Sequence, residues 1–205
     1  TLGQRSELFK RLITVLLPQT EQYNGAVKVV AWYNHGRPSL ADIRQRLVQT
    51  ADTEYVSFID DDDLVPEYYV SEVMTALASR PDYVGWQVEC FEDDTLIAIA
   101  YHSLKYTRWE DTETGLYRDI SHLNPVRTQL ARQADFRFKR PDFPEDRAWV
   151  AQMRGKLRTE VMIDKVMYHY MWSESVSAWR DPHKIKTMGE RPVIDHPFFS
   201  WHEES

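Results

Sequence analysis

The sequence predicts an α/β fold, a mixed and mostly parallel sheet flanked by helices, with a more irregular second half. Three observations predict it. Helix-like and strand-like patterns alternate from Ser6 to Ser79. A short apolar run, Tyr55–Ile59, delivers four consecutive carboxylates, Asp60–Asp63, to its carboxyl end. After Ser79 the alternation gives way to a hairpin, and beyond His102 polar, irregular stretches take over. Alternation of this kind marks a parallel sheet with covered faces, and such sheets bind ligands at the carboxyl ends of their strands.

The elements follow in order. Leu8, Phe9, Leu12, Ile13, Val15, Leu16 and Leu17 keep a helical face from about Ser6, and Pro18 stops it. Ala26–Tyr33 is rich in Val and aromatics and predicts a strand, closed by the loop Asn34-His35-Gly36-Arg37-Pro38. Ser39 with Asp42 predicts a capping box, and the helix behind it is expected to turn Leu40, Ile43 and Leu47 inward. The Tyr55–Ile59 strand comes next, then a helix from Pro66 to about Ser79, since proline is tolerated in a first helical turn. Tyr83–Phe91 and Thr95–His102 predict a hairpin around Glu92-Asp93-Asp94. Residues 103–124 read as irregular, Pro125–Gln133 as a short helix and 135–144 as a loop. Glu145–Lys156 predicts an amphipathic helix with Trp149, Val150 and Met153 on one side, and Val161–Tyr170 a strand. The aromatic tail from Pro192 reads as loop.

Composition narrows the function classes. The 205 residues fit one domain, with a first half to about residue 102 and a second half from 103. There is no run of eighteen apolar residues, so no membrane span is expected. The single cysteine, Cys90, excludes an internal disulfide framework and suits a reducing, cytoplasmic compartment; among Val88 and Phe91 it reads as a packed thiol. A net charge of −7 argues against a general nucleic-acid binder. The charge is uneven, however: residues 1–85 hold 8 basic and 12 acidic side chains, residues 86–192 hold 17 of each. The opening residues read as a loop entering a helix, and a strand is expected to precede them.

The acidic run carries the chemistry. Four adjacent carboxylates repel by roughly 1–3 kcal/mol per pair. Asp60 and Asp62, two apart on extended backbone, point the same way and can share a cation. Oxygen-only ligands suit Mg²⁺ or Mn²⁺ completed by water and a substrate's phosphates. A solvated acidic turn would look the same in isolation. The segment Phe143-Pro144-Glu145-Asp146 puts a second acidic pair in the first turn of a late helix, where ionised carboxylates are favoured.

These features together resemble a family 2 glycosyltransferase of the GT-A (Rossmann-like) fold. FIDDDDLVP resembles the family's FLDSDDxxxP metal-binding segment, FPED its Glu-Asp pair with the catalytic base, and Ile43-Arg44-Gln45 its ARN segment beside the donor. VMYHYMWSESVS resembles LYxYRxHxxSxS, so the match runs from about Leu8 to Ser177. The short length resembles versions encoded by phages of actinobacteria. The resemblance implies a metal-dependent, inverting transfer from a nucleotide-diphosphate sugar, a UDP-sugar, to an acceptor hydroxyl. On that reading Asp146 is the base with Glu145 beside it. Thr1, Asn34, Arg44, Asp60, Asp61 and Trp86 lie on the donor side, and Asp62 with Asp60 holds Mn²⁺ or Mg²⁺. Where the family has arginine and histidine in YRxH, this chain has Met171 and Ser173. The third metal ligand therefore stays open between His169 and, in the tail, His202. Trp86 is equally readable as core. His122, and the basic residues Arg137, Lys139 and Arg140 just before FPED, are the acceptor-side candidates. The acceptor itself is open among a hydroxymethylated base in phage DNA, a protein and a glycan, and a phage-encoded enzyme would act in the host cytoplasm.

Two other readings fit part of the pattern. A sugar-1-phosphate nucleotidyltransferase also uses an α/β fold and an acidic metal site, but the chain shows no Gly-rich phosphate loop with a following lysine. A non-catalytic nucleotide-sugar-binding module would explain the lost YRxH histidine and leave the two acidic segments unexplained.

Overall fold

The structure is a computed structural model that describes residues 6–33, 38–139, 144–173 and 193–202. Its first helix, α1 (Ser6–Leu16), passes at Leu17 into a 3-10 turn, Leu17–Tyr23, that carries Pro18 in its first turn. The strand expected over Ala26–Tyr33 is shorter, β1 (Val29–Trp32). Ser39 caps α2 (Leu40–Thr50) as expected, its hydroxyl accepting the Asp42 N–H at 3.2 Å. The buried face of α2 differs from the expectation: Leu40 is 51% exposed, and Ile43, Arg44, Gln45 and Val48 are buried. A polar pair is drawn inward because both side chains find partners there. Gln45 Oε1 accepts the Phe136 N–H at 2.9 Å, and Arg44 meets two carboxylates.

The Tyr55–Ile59 segment pairs as a strand only over β2 (Tyr55–Val56), and the helix after Pro66 is α3 (Tyr69–Leu77). The hairpin is present as β3 (Tyr83–Glu92) and β4 (Thr95–His102), with Asp93 and Asp94 at φ 45° and 65°, the positive pair a tight two-residue turn requires. Inside the stretch expected to be irregular, β5 (Glu110–Thr112) and β6 (Gly115–Arg118) form a second hairpin, exposed along β5 and half-buried along β6. The short helix predicted at 125–133 begins as β7 (Val126–Arg127) and continues as α4 (Thr128–Ala131). The late helix is α5 (Glu145–Met153), and the last long strand is β8 (Glu160–Trp172). The tail, read as loop, contributes β9 (Phe199–His202).

Strands β2 to β8 make a mixed sheet in the order β2-β7-β3-β4-β6-β5, with β8 also on β3. The β3–β8 ladder is parallel, running from Tyr83 opposite Glu160 to Glu92 opposite Trp172. The hairpin, β7 and β5–β6 pairings are antiparallel. Trp86, Val84, Met167 and Tyr168 fill one core against α3 and α1. Phe136 stacked on Trp149 at 5.0 Å fills a second with Val48 and Met153. The third lies under α1, where Phe9, Ile13 and Leu17 meet Phe199 and Trp201 of β9. There β9 pairs in parallel with β1, Val29 opposite Phe199 and Trp32 opposite His202. These two strands form a small sheet of their own, covered by α1, which precedes β1 rather than linking the pair.

Candidate active site

The site is built where the acidic run leaves β2. Phe58 N–H donates to the His122 carbonyl at 3.2 Å, which anchors the extended backbone just before Asp60. Asp63 is drawn inside. Its Oδ2 accepts from the Tyr168 hydroxyl and its Oδ1 from the Met171 N–H, both at 2.7 Å. The Asp60 N–H donates to the same Tyr168 oxygen at 3.0 Å. Burial, then Asp60 and Asp62 nearby, push the Asp63 carboxyl well above the usual carboxylate range. One aspartate of the four is thus an anchor to β8, which fixes how the others are presented.

Arg44 joins this run to the late helix. Its two terminal nitrogens reach Asp60 Oδ1 at 2.8 Å and Glu145 Oε1 at 2.7 Å. Burial alone would weaken its charge, but Asp60, Glu145 and Asp146 outweigh that and raise its pKa. The arginine expected beside the donor's diphosphate is therefore an internal crosslink. Asp146, one residue on, accepts the Arg147 N–H at Oδ1 (2.7 Å) and has Oδ2 3.8 Å from His122 Nδ1. Burial, then the Arg44 charge, lowers the His122 pKa to about 4, so the ring is neutral at pH 7. The two acidic segments, far apart in sequence, are thereby held together with His122 and Arg44 between them.

Other expected residues fall elsewhere. His169 turns away from the acids and bonds Glu89 Oε2 through Nδ1 at 2.9 Å. The reason is strand alternation: Tyr168 faces Asp63, so its neighbour faces the opposite side of the sheet. His202 stacks on Trp32, ring centroids 6.1 Å apart. Trp86 is wholly buried against Tyr69, which selects its core reading over a sugar floor. Arg137 is exposed and grips Asp135 through Nε and Nη2, both at 2.9 Å; Lys139 is exposed too. Thr1, Asn34 and Arg140 lie outside the described residues. Among the described residues, no three His, Cys, Asp or Glu side chains converge as a ready-made metal cage.

Two participants were not singled out in the sequence. Tyr168 was legible only as part of a motif, and its hydroxyl turns out to tie Asp60 to Asp63. Trp109, from the unexpected β5–β6 hairpin region, is 51% exposed and lies against the Arg147 guanidinium at 4.5 Å, one residue from Asp146.

A mixed sheet flanked by helices is also the fold of solved glycosyltransferase structures. Among the solved structures this chain resembles are those of S. aureus TarS. The 1–349 form superimposes with a TM-score of 0.53 at 14% identity, covering 82% of this chain and 58% of that one. The same form in complex with UDP-GlcNAc gives 0.55 at 15% identity, covering 84% and 57%. A longer TarS structure gives 0.55 at 13%, covering 83% of this chain and 35% of that one. At these identities the likeness is one of fold, and the chain spans about a third to three fifths of the TarS chains. No family model matches the sequence, and neither does any curated protein. Among the described residues no helix is long and apolar enough to cross a membrane.

Proposed function

We propose that the chain is a nucleotide-sugar glycosyltransferase that moves a sugar from a UDP-sugar to an acceptor hydroxyl, with inversion at the anomeric carbon. The observation that carries this reading is the Arg44 crosslink, which holds the acidic strand end and the first turn of α5 in one site. It is supported by the shared fold with TarS, which has been captured with UDP-GlcNAc and with UDP.

The chemistry needs a base and a stabilised leaving group. The acceptor oxygen attacks the anomeric carbon while the bond from that carbon to the diphosphate breaks, and the acceptor's proton passes to Asp146. Asp146 is 29% exposed, open enough to meet an acceptor, and it sits where the amino end of α5 favours a carboxylate. Arg44 and Glu145 hold that helix end against the donor side. The donor set fits a hard divalent ion: carboxylate oxygens on one short segment, the turn from Asp60 to Asp63, with the buried Arg44 cation beside Asp60. Asp62, with Asp60, would hold Mn²⁺ or Mg²⁺, which when bound supplies neutralisation of the leaving diphosphate. Trp109 and Arg147, one residue from Asp146, stand on the acceptor side, more directly than Arg137, which Asp135 already engages.

The test is UDP release from UDP-GlcNAc in the presence of Mn²⁺. The wild type is expected to release UDP, and Asp146→Asn to lose at least about 100-fold in turnover while binding UDP unchanged, since removing a general base costs typically 10²–10⁴-fold. Unchanged turnover in Asp146→Asn would overturn the assignment of the base.

A further inference from the structure

Beside the proposed base stands a histidine whose ring is only half engaged. His122 is 6% exposed and boxed by Phe58 and Phe136, with centroids at 5.9 and 6.5 Å. Its carbonyl holds the Phe58 N–H, so its backbone cannot drift from the acidic run. Nε2 is buried without a hydrogen-bond partner, and Nδ1 lies 3.8 Å from Asp146 Oδ2. A buried polar atom with no partner is costly. The box itself is aromatic, and a phenyl ring would fill it without that cost. An imidazole here is thus unexplained by packing and explained by its neighbour.

We propose that His122 is the positioning residue for Asp146, donating its Nδ1–H to Oδ2 and fixing the plane of the carboxylate. Hydrogen bonds of this kind are long in an empty site and tighten when substrate arrives, so the 3.8 Å gap closes as the acceptor enters. Oδ1 is already held by the Arg147 N–H, and a second donor on Oδ2 leaves the carboxylate one orientation. A neutral donor suits the task because Arg44 already supplies the positive charge. The charged and titratable groups facing the ring are Arg44 from α2, Asp60 from the acidic run, Asp146 from α5 and His102 from β4. The neutral ring therefore carries its proton on the nitrogen that faces the carboxylate.

The kinetic part of this inference rests on Asp146 being the base, and the structural part does not. Ring ¹⁵N correlation spectra at pH 7, with the His122 signals assigned by their loss in His122→Asn, read the tautomer directly. Protonated Nδ1 with bare Nε2 is expected; protonated Nε2 with bare Nδ1 would overturn the proposal whatever the enzyme does. In UDP-GlcNAc hydrolysis, His122→Phe is expected to lose about 10–100-fold in kcat with UDP affinity unchanged, and to move the acidic limb of the pH–rate profile upward, because the carboxylate loses a donor to its charged form. His122→Asn, whose amide nitrogen falls near Nδ1, is expected to restore both. A Phe variant with unshifted limb and unchanged kcat would reduce His122 to packing. Should Asp146→Asn keep its turnover, the base assignment falls while the tautomer result still decides the contact.

Discussion

At the scale of single residues, Arg44 is the side chain on which the site depends. Truncating it leaves Asp60 and Glu145 facing each other without their shared cation. Fully buried pairs lose 3–5 kcal/mol when one partner goes. Here the carboxylates keep 35% and 28% exposure, so Arg44→Ala is expected to cost roughly 2–3 kcal/mol in urea denaturation. His102 gives a pH signature. Its Nδ1–H donates to Asn124 Oδ1 at 2.9 Å, and burial lowers its pKa to about 4. The unfolded chain takes up that proton near pH 6.5 and the folded one does not, so stability present above pH 6.5 is lost as pH falls towards 4. The stability advantage of wild type over His102→Gln should therefore shrink by about 2 kcal/mol between pH 7 and pH 5. Asp63 acts in the opposite sense, because burial raises its pKa and the folded state holds its proton more tightly. Comparison with the His102 variant separates the two.

At the scale of elements, β9 is the least expected piece and the most revealing. Its four residues hold β1 in parallel pairing, and its aromatics meet Phe9 and Ile13 of α1. The Val29 N–H donates to the Phe198 carbonyl at 2.8 Å and the Tyr33 N–H to the His202 carbonyl at 3.1 Å. These amides should be protected from hydrogen exchange. Phe9→Ala, which empties the space between α1 and β9, is expected to cost about 3–5 kcal/mol and to speed exchange at both amides more than at β3. Protection unchanged in that variant would mean that β1 does not depend on the tail. The β5–β6 hairpin is the other late-found element, and it brings Trp109 to Arg147.

At the scale of the whole molecule, local signals were legible and long-range ones were not. Pro18 and Ser39 marked helix boundaries through chemistry carried by one residue, and Asp93-Asp94 marked the hairpin turn. The two acidic segments were readable because each lies on one short stretch. What brings them together is a contact across 101 residues, Arg44 to Glu145, which no periodicity encodes. The same limit explains the face of α2, where Arg44 and Gln45 are inside because of partners on α5 and at Phe136. It also explains β9: four residues of aromatic tail become a strand only because β1 offers an open edge. His169 and Tyr168 differ by one position on β8, so an error of one residue in facing decides which of them meets the acids.

The central claim is that the acidic run is the diphosphate end of a nucleotide-sugar site, and calorimetric titration of UDP with and without Mn²⁺ tests it most directly. The account predicts binding that requires the metal and disappears in Asp62→Ala, with Asp146→Asn binding as the wild type does. Metal-independent binding that survives Asp62→Ala, or no binding in the wild type at all, would contradict it.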